Sequence, residues 1–576
     1  MDGLSYEFFQ ATQEIIGPKL VEIFNNQLIN NEMLPSFRKG VCRLISKVED
    51  TPAVSELRPI TLLSCDSKIL SKIFMLRLNT VLDKVLLSSQ LCYKEEKNIL
   101  FGATNIISTI DYIDVKNLQG YLASFDLFKA YDKANINVIC EIMKHMNFKP
   151  KFISYIKTLH FNISTCFITA QGLTEQVPVT SSVRQGDPIA MLCFLILIEP
   201  LLLHLHREVK GVHVGRNKQG DEAYVDDVSL LSCNENDLNK IFSIFEKFEN
   251  LSGMVLNKNK CQILGLGIWK DKTEWPLHWI KTVDQIKIFG VTFANTIDKT
   301  IRLSWTNYEV KFHNCLMSWR GKNINSLSER AFVLKTFATS KLWYLAQVLP
   351  LPKSTLDYIE RELGLFLWRG HLERLPLQEL YLEKNKGGLG LPNIQAKCDA
   401  LFLMHIVRIL KTDNSTRNHL IYWLGLTKVM RSNFSDIINI GPKSEIVTFY
   451  FKHICNLMED ESLSIPLNSA NLVHFKSKSI YADFNTTPPP PKVEDKFNLN
   501  WQEIWRRLDS NFVGQEASNV MFIVVHNIYS NNERLFRMNK HPSGICFCNR
   551  NSIQNNVHLF TECKSCLLYT SDAADD

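Results

Sequence analysis

Glu222-Ala223-Tyr224-Val225-Asp226-Asp227-Val228-Ser229-Leu230-Leu231 is the stretch that decides the reading of this chain. Its apolar residues describe a short strand or hairpin, and two adjacent carboxylates interrupt it where burial makes charge costly. A half-buried pair of acids needs a partner, and a hard divalent cation prefers carboxylate oxygen while keeping sites for water and phosphate. Taken alone, such a pair more often marks a solvated hairpin tip. A third acid shifts the reading. The run Tyr121-Leu122-Ala123-Ser124-Phe125 is another apolar strand, and Asp126 stands at its end. Acids from two neighbouring strands suit a cage for two ions about 3.5–4 Å apart, which clamps the attacking and leaving oxygens of a phosphoryl transfer.

The surrounding segments form an ordered series. Leu57-Arg58-Pro59-Ile60-Thr61-Leu62-Leu63 comes first, then Phe125-Asp126-Leu127-Phe128-Lys129-Ala130-Tyr131-Asp132, then Arg184-Gln185-Gly186-Asp187-Pro188. The Tyr-Val-Asp-Asp stretch follows, then Leu256-Asn257-Lys258-Asn259-Lys260 and Ile288-Phe289-Gly290-Val291. In this order the six segments resemble the motifs of reverse transcriptases, and among them those of non-LTR (LINE-like) retrotransposons.

The resemblance implies an α+β right-hand polymerase: fingers, a ferredoxin-like palm and a helical thumb, with a small C-terminal zinc-binding segment. It implies an RNA-directed DNA polymerase that takes an RNA template, a DNA primer or target, and dNTPs, with two Mg²⁺ ions held by Asp126, Asp226 and Asp227. The backbone carbonyl of Leu127 would add an oxygen. Tyr131 would floor the nucleotide pocket and crowd a ribose 2′-OH, while Lys47 and Arg58 would fold over the triphosphate. Arg suits that task because its planar fork grips phosphate and stays charged. Gln185 and Gly186 would lie under template and nucleotide, with Gly allowing close backbone approach. Lys260 matches the lysine that protonates departing pyrophosphate, although Lys258 stands two residues away; Phe289 and Gly290 match the primer-grip turn. Each has a plainer reading too: a core aromatic for Tyr131, a solvated lysine for Lys47, an ordinary turn for Phe289-Gly290.

One step departs from the family. After Gln90, Glu96 stands where a glycine is expected and Lys97 where an arginine is expected. Lysine cannot replace the bidentate contacts of arginine. The alternative this leaves open is a catalytically impaired element remnant that only binds nucleic acid. A maturase-like polymerase shares the palm, but the thumb and tail favour the LINE-like kind.

The 576 residues allow three or four domains, and 45% hydrophobic with 22% charged residues is an ordinary globular composition. The net charge is +6, and residues 301–400, with 14 Lys/Arg against 9 Asp/Glu, carry most of it. Trp305, Trp319, Trp343 and Trp368 lie in the same stretch. Basic charge interleaved with aromatics suits a surface tracking a phosphate backbone, and equally a helical domain with tryptophan in its core. Fifteen cysteines scattered singly argue for a reducing compartment. The apolar run Ile189–Ile198 is too short to span a bilayer and reads as a buried helix, so no membrane role is expected.

Along the chain the expected divisions are fingers with an N-terminal extension over 1–120, palm over 121–295 (the whole reverse transcriptase domain about 40–295) and thumb over 300–412. A connector over 413–495 contains Thr486-Thr487-Pro488-Pro489-Pro490-Pro491, a polyproline spacer. Residues 496–566 form the zinc-binding segment. There Cys546, Cys548, His558 and Cys563 supply four soft or borderline ligands, as structural zinc prefers. The Cys-x-Cys pair is tighter than the family spacing, and Cys566 is an alternative ligand. Met1–Phe9 resembles an internal stretch of these polymerases, so the chain reads as N-terminally truncated, with an endonuclease expected from the missing upstream segment. Nuclear action is expected by family analogy.

Overall fold

The computed structural model describes residues 4–46, 53, 56–92, 98–179, 183–322, 324, 326–370, 375–412, 414–439, 441–485, 490–494, 499–508, 515–548, 551–563 and 565. Lys47, Glu96, Lys97 and Cys566 lie outside them, as does Thr486–Pro489 of the polyproline spacer. Chain contacts divide the protein into two units: residues 1–300 with 409–452, and residues 301–408 with 453–576.

The first unit is built on a five-stranded sheet. Strand Gln119–Phe125 sits at its centre, flanked by Asp227–Ser232 and Gln262–Gly267, with Asp221–Tyr224 and Lys281–Thr282 at the edges. Both faces of the central strand are covered, which is why its sequence is nearly continuously apolar. Tyr121, Ala123 and Phe125 alternate into one core shared with helices Ala190–Glu208 and Asn236–Ser252, where Phe125 stacks on Phe245 at 5.2 Å. The opposite face meets helix Ile99–Val115. Gly120 lets the Ile113 side chain lie close against the strand, since a Cβ would come within 2.8 Å of Ile113 Cδ1 and push that methyl aside. Helix Ala190–Glu208 extends past the apolar run and is long and apolar enough for a membrane span, which the run alone had not suggested, and it is buried in the core from Leu192 to Ile198, as expected. A second sheet pairs Lys39–Ser46 antiparallel with Leu57–Leu62 and parallel with Ser164–Thr169. The whole is the mixed α+β polymerase fold that the motifs implied.

The connector expected over 413–495 is not one body, because residues 409–452 pack with the first unit and those from 453 with the second. The reason lies in helix Ile99–Val115, which is buried nearly all round and needs a cover on the side away from the sheet. Helix Ser415–Leu424 supplies it. His419 Nδ1 lies 2.9 Å from Ser108 Oγ, the Trp423 indole N–H donates to the same oxygen at 2.8 Å, and Tyr422 meets Tyr112 edge-on.

Asp111 in the covered helix accepts a hydrogen bond from the Thr448 hydroxyl at 2.6 Å. Burial pushes its pKa up to about 7, above the usual range of about 3.9. A raised carboxyl pKa means that the folded state binds the proton more tightly than the unfolded chain. Stability therefore falls as pH rises from about 4 to 7, by at most about 1.4 kcal/mol per unit. Asp111→Asn, whose amide oxygen still accepts from Thr448, should unfold at higher denaturant than the parent at pH 8, the gap closing toward pH 4. A gap independent of pH would refute the assignment.

The second unit is mostly helical where described, including Leu327–Val333, Lys353–Leu367 and Trp501–Leu508. The turn Lys386–Pro392 is structural, as expected. Gly387 (φ 83°) packs under Trp505, and its carbonyl lies 2.8 Å from His526 Nε2.

Candidate active site

Register brings the three acids together. Val228 pairs with Phe125, so Asp227 and Asp226 in the adjoining turn lie beside Asp126, which follows Phe125 directly. Tyr224 pairs with Asp227 across the turn, leaving Val225 and Asp226 as its two central residues. Val225 takes φ 61°, a left-handed backbone that is costly for a β-branched residue and persists only where the surroundings enforce it.

Gln90 enforces it. This side chain is fully buried, and its Oε1 accepts the backbone N–H of Val225 and that of Cys92, each at 3.2 Å. The segment around Gln90 docks along the hairpin strand: Ala223 N–H donates to the Ser89 carbonyl at 3.0 Å, and Leu91 N–H to the Ala223 carbonyl at 2.9 Å. Asp126 is oriented in a similar way. Asn257 Nδ2 donates to its Oδ2 at 3.0 Å, and the Asn257 backbone N–H to its carbonyl at 2.8 Å. Leu127 is buried and bridges Leu256 beside it. Sequence reading passed over Gln90 and Asn257 as site residues. Both stood inside quoted segments, but nothing local showed which backbone or carboxylate they would reach.

Electrostatics confirm the crowding. Lost hydration raises the pKa of Asp226, the Asp126 charge adds to this, and Arg58 and Lys260 oppose it. Lost hydration, Asp226 and Asp126 together push Asp227 up to about 6. Two partly buried carboxylates whose pKa values neighbouring acids help to raise form a set that a divalent cation would relieve, and the all-oxygen donor set fits Mg²⁺. Lys260 Nζ stands 3.7 Å from Asp126 Oδ2. Lys258 points elsewhere, its ammonium 5.0 Å from the Phe242 ring centroid and 5.5 Å from that of Trp279. Of the two lysines, only Lys260 faces the acids.

The Arg184–Pro188 segment has two parts. Its ends are structural: Arg184 and Asp187 form a buried ion pair at 3.4 Å, and the Ser71 hydroxyl also donates to Asp187. Between them Gln185 accepts the Thr61 N–H at 2.7 Å, which joins the segment to the strand carrying Arg58. Gly186 takes φ 114°, and a Cβ there would lie 2.2 Å from the Thr61 carbonyl oxygen, so no other residue fits. Tyr131 stacks on Phe194 at 4.8 Å, with its hydroxyl 2.8 Å from Met191 Sδ. Phe289 and Gly290, both left-handed, close a two-residue hairpin between Gln285–Ile288 and Val291–Ala294. The Phe289 ring packs over Gly102, close to Leu91 and Glu222, behind the strand that leads to Asp226.

In the second unit Cys546, Cys548, His558 and Cys563 bring their ligand atoms within 4.8 Å of one another. Cys546 Sγ and Cys563 Sγ are 3.8 Å apart, and Cys548 Sγ lies 3.4 Å from His558 Nε2. A zinc tetrahedron with bonds of about 2.3 Å to sulfur has sulfur–sulfur edges of about 3.8 Å, so this set fits zinc. The tight Cys-x-Cys spacing is accommodated by a bend in the backbone at Phe547 and Cys548. Cys546 and Cys548 turn inward while Phe547 points to solvent. His558 Nδ1 lies 3.5 Å from Glu562, a carboxylate placed to fix the ring with Nε2 toward the thiols.

Comparison with known proteins bears on the domain that carries these residues. Residues 45–293 match the family model described as reverse transcriptase (RNA-dependent DNA polymerase). The chain is 27% identical over 431 residues to the transposon TX1 uncharacterized 149 kDa protein of Xenopus laevis, covering 72% of this chain and 32% of that protein. It is 23% identical over 370 residues to the Pol polyprotein of the type-1 retrotransposable element R2 of Popillia japonica, covering 60% and 56%. The R2DM counterpart of Drosophila melanogaster is 20% identical, over 71% and 39%. The chain thus spans from about a third to just over half of the length of these relatives. A solved telomerase of Candida tropicalis, in complex with a fragment of telomeric RNA, covers 71% of the chain and 68% of its own at 12% identity, with a TM-score of 0.35, too loose a likeness to build on. The matched domain and the ordered motifs identify a reverse transcriptase domain over residues 45–293, similar to those of retrotransposon Pol proteins.

Proposed function

We propose that this chain extends a DNA primer on an RNA template, by in-line attack of the primer 3′-OH on the α-phosphate of a dNTP. The observation that carries the reading is the convergence of Asp126, Asp226 and Asp227 from neighbouring strands, with Lys260 beside them. When bound at the three acids, a pair of Mg²⁺ ions supplies Lewis-acid stabilisation of the attacking and leaving oxygens. The protein's own residues do the rest. Asn257 holds the Asp126 carboxylate in one orientation, and Gln90 holds the turn that presents Asp226. Arg58, with Lys47, offsets the charge of the triphosphate. Lys260 Nζ gives its proton to the departing pyrophosphate. Tyr131, held against Phe194, sets the floor on which a 2′-OH would crowd, and Gln185 and Gly186 support template and nucleotide. Phe289 and Gly290 support the primer strand. Positioning and preorganised charge account for most of the acceleration.

We assign zinc to the Cys546, Cys548, His558 and Cys563 cluster as a structural ion. The template we infer is the element's own RNA, primed by a nicked chromosomal end in the nucleus, with an endonuclease supplying the nick. The deciding test is primer extension on poly(rA)/oligo(dT) with Mg²⁺ and dNTPs. Extension lost in an Asp226 variant supports the assignment. A folded parent that binds RNA without extending primer would instead favour the impaired remnant.

Gln90→Met separates positioning from chemistry. The substitution keeps size but removes the acceptor, leaving buried Val225 and Cys92 N–H groups without it, at a cost of roughly 1–3 kcal/mol. Extension at saturating primer and nucleotide should fall on the order of tenfold or more, with KM for dNTP little changed, while Gln90→Glu, which keeps an acceptor oxygen, should recover part of the rate. Equal kcat in parent and Gln90→Met would dismiss the role.

A further inference from the structure

The second unit holds a cavity that no part of the proposed reaction uses. It encloses about 440 Å³, and Trp319, Arg320, Lys322, Arg330, Phe366 and Arg369 line it, with no acid among the described lining residues. Two of the cations are anchored. The Arg330 Nε–H donates to the Leu367 carbonyl at 2.7 Å, and Arg330 and Arg369 both donate to the Ile324 carbonyl, at 3.3 and 3.1 Å. These bonds hold both guanidinium planes at the wall. Arg320 and Lys322 are exposed at the mouth, with the Lys322 ammonium 4.2 Å from the centroid of the Trp319 ring.

A row of aromatic rings leads away from this mouth. Trp319 packs on Phe337 at 4.8 Å, and Phe337 meets Phe332 at 6.4 Å. Phe337 is 40% exposed and Phe332 61%, a display of apolar surface that core packing does not explain. Cations able to follow a phosphate backbone, beside open rings on which successive bases can stack, form the combination that binds single strands with little sequence preference. A duplex keeps its bases stacked on one another and has no use for the rings.

We propose that this cavity and the adjoining rings bind a single-stranded nucleic acid, with phosphate against Arg320 and Lys322 and bases on Phe337 and Phe332. The site lies within the second unit and uses none of the residues assigned to the reaction, so it does not depend on the polymerase assignment.

The test is fluorescence anisotropy with end-labelled oligo(U), oligo(dT) and a blunt duplex, titrated with the full-length chain over a range of salt. Arg320→Ala/Lys322→Ala should weaken single-strand binding about tenfold and flatten the slope of log K against log salt by about 1.4, two phosphates at about 0.7 each. Phe332→Ala should weaken it about fivefold or more with the slope unchanged. All three side chains are exposed, and unchanged melting temperatures would verify the folds. Lys341→Ala/Lys353→Ala removes the same charge from elsewhere in the unit and should leave affinity nearly intact. A loss as large in that control, no loss in the cavity variant, or a preference for duplex would each overturn the proposal. Tighter binding of RNA or of DNA would name the strand. A parent that fails to extend primer yet keeps binding sensitive to Arg320 and Lys322 would sink the polymerase reading and leave this one standing.

Discussion

Asp226→Asn is expected to lower primer extension on the order of 10³-fold or more while leaving the fold as stable as the parent, or more so. The two readouts move in opposite directions for one reason. In the folded chain Asp226 is partly buried beside Asp126, and both effects raise its pKa, so its ionised form is held at a cost. Asparagine keeps the shape and removes the repulsion, which relieves the fold. It also removes the oxygen charge that a divalent cation needs, which disables the site. A variant that loses activity by unfolding would show the opposite stability change. Measured together, extension rate and denaturation midpoint distinguish the cases, and an active Asp226→Asn enzyme would remove the acids from the proposed mechanism.

Cys563→Ser should reduce bound zinc from one ion per chain to none and open residues 541–563 to protease, with the first unit still folded. The magnitude follows from what fills the apolar cluster of this segment among the described residues. Its buried cluster consists of Cys546 and Cys563, with Cys548 and Leu559 packed against them, so the ligands are themselves the core. In isolated zinc-finger peptides the metal contributes about 10–16 kcal/mol, more than a cluster of this size could provide by apolar burial. Elemental analysis of the purified parent and limited proteolysis with and without a chelator check both halves. A parent free of zinc whose tail resists protease would show that thiol packing alone suffices.

The three acids and the Cys/His cluster were legible because each depends on a local pattern. A charge that interrupts an alternating apolar strand is visible in ten residues, and Cys546-x-Cys548 with His558-x₄-Cys563 in eighteen. The buried helix beginning at Ala190 was legible in the same way, from an unbroken apolar run. Lys260 was less so: sequence offered Lys258 as well, and the choice turned on which ammonium a pair of aromatic rings would capture.

The sequence was enough for the resemblance to reverse transcriptases, the three candidate acids and the segments that present them, because side-chain chemistry and strand periodicity are properties of neighbouring residues. Tertiary structure alone decided what holds those acids in place. Gln90 reaches Val225 across 135 positions, and Asn257 reaches Asp126 across 131. Ser71 secures Asp187 across 116. It also decided that residues 409–452 return to cover helix Ile99–Val115. That helix buries polar as well as apolar residues on nearly every side, and which segment covers it depends on shape and hydrogen bonding realised only when distant parts of the chain meet.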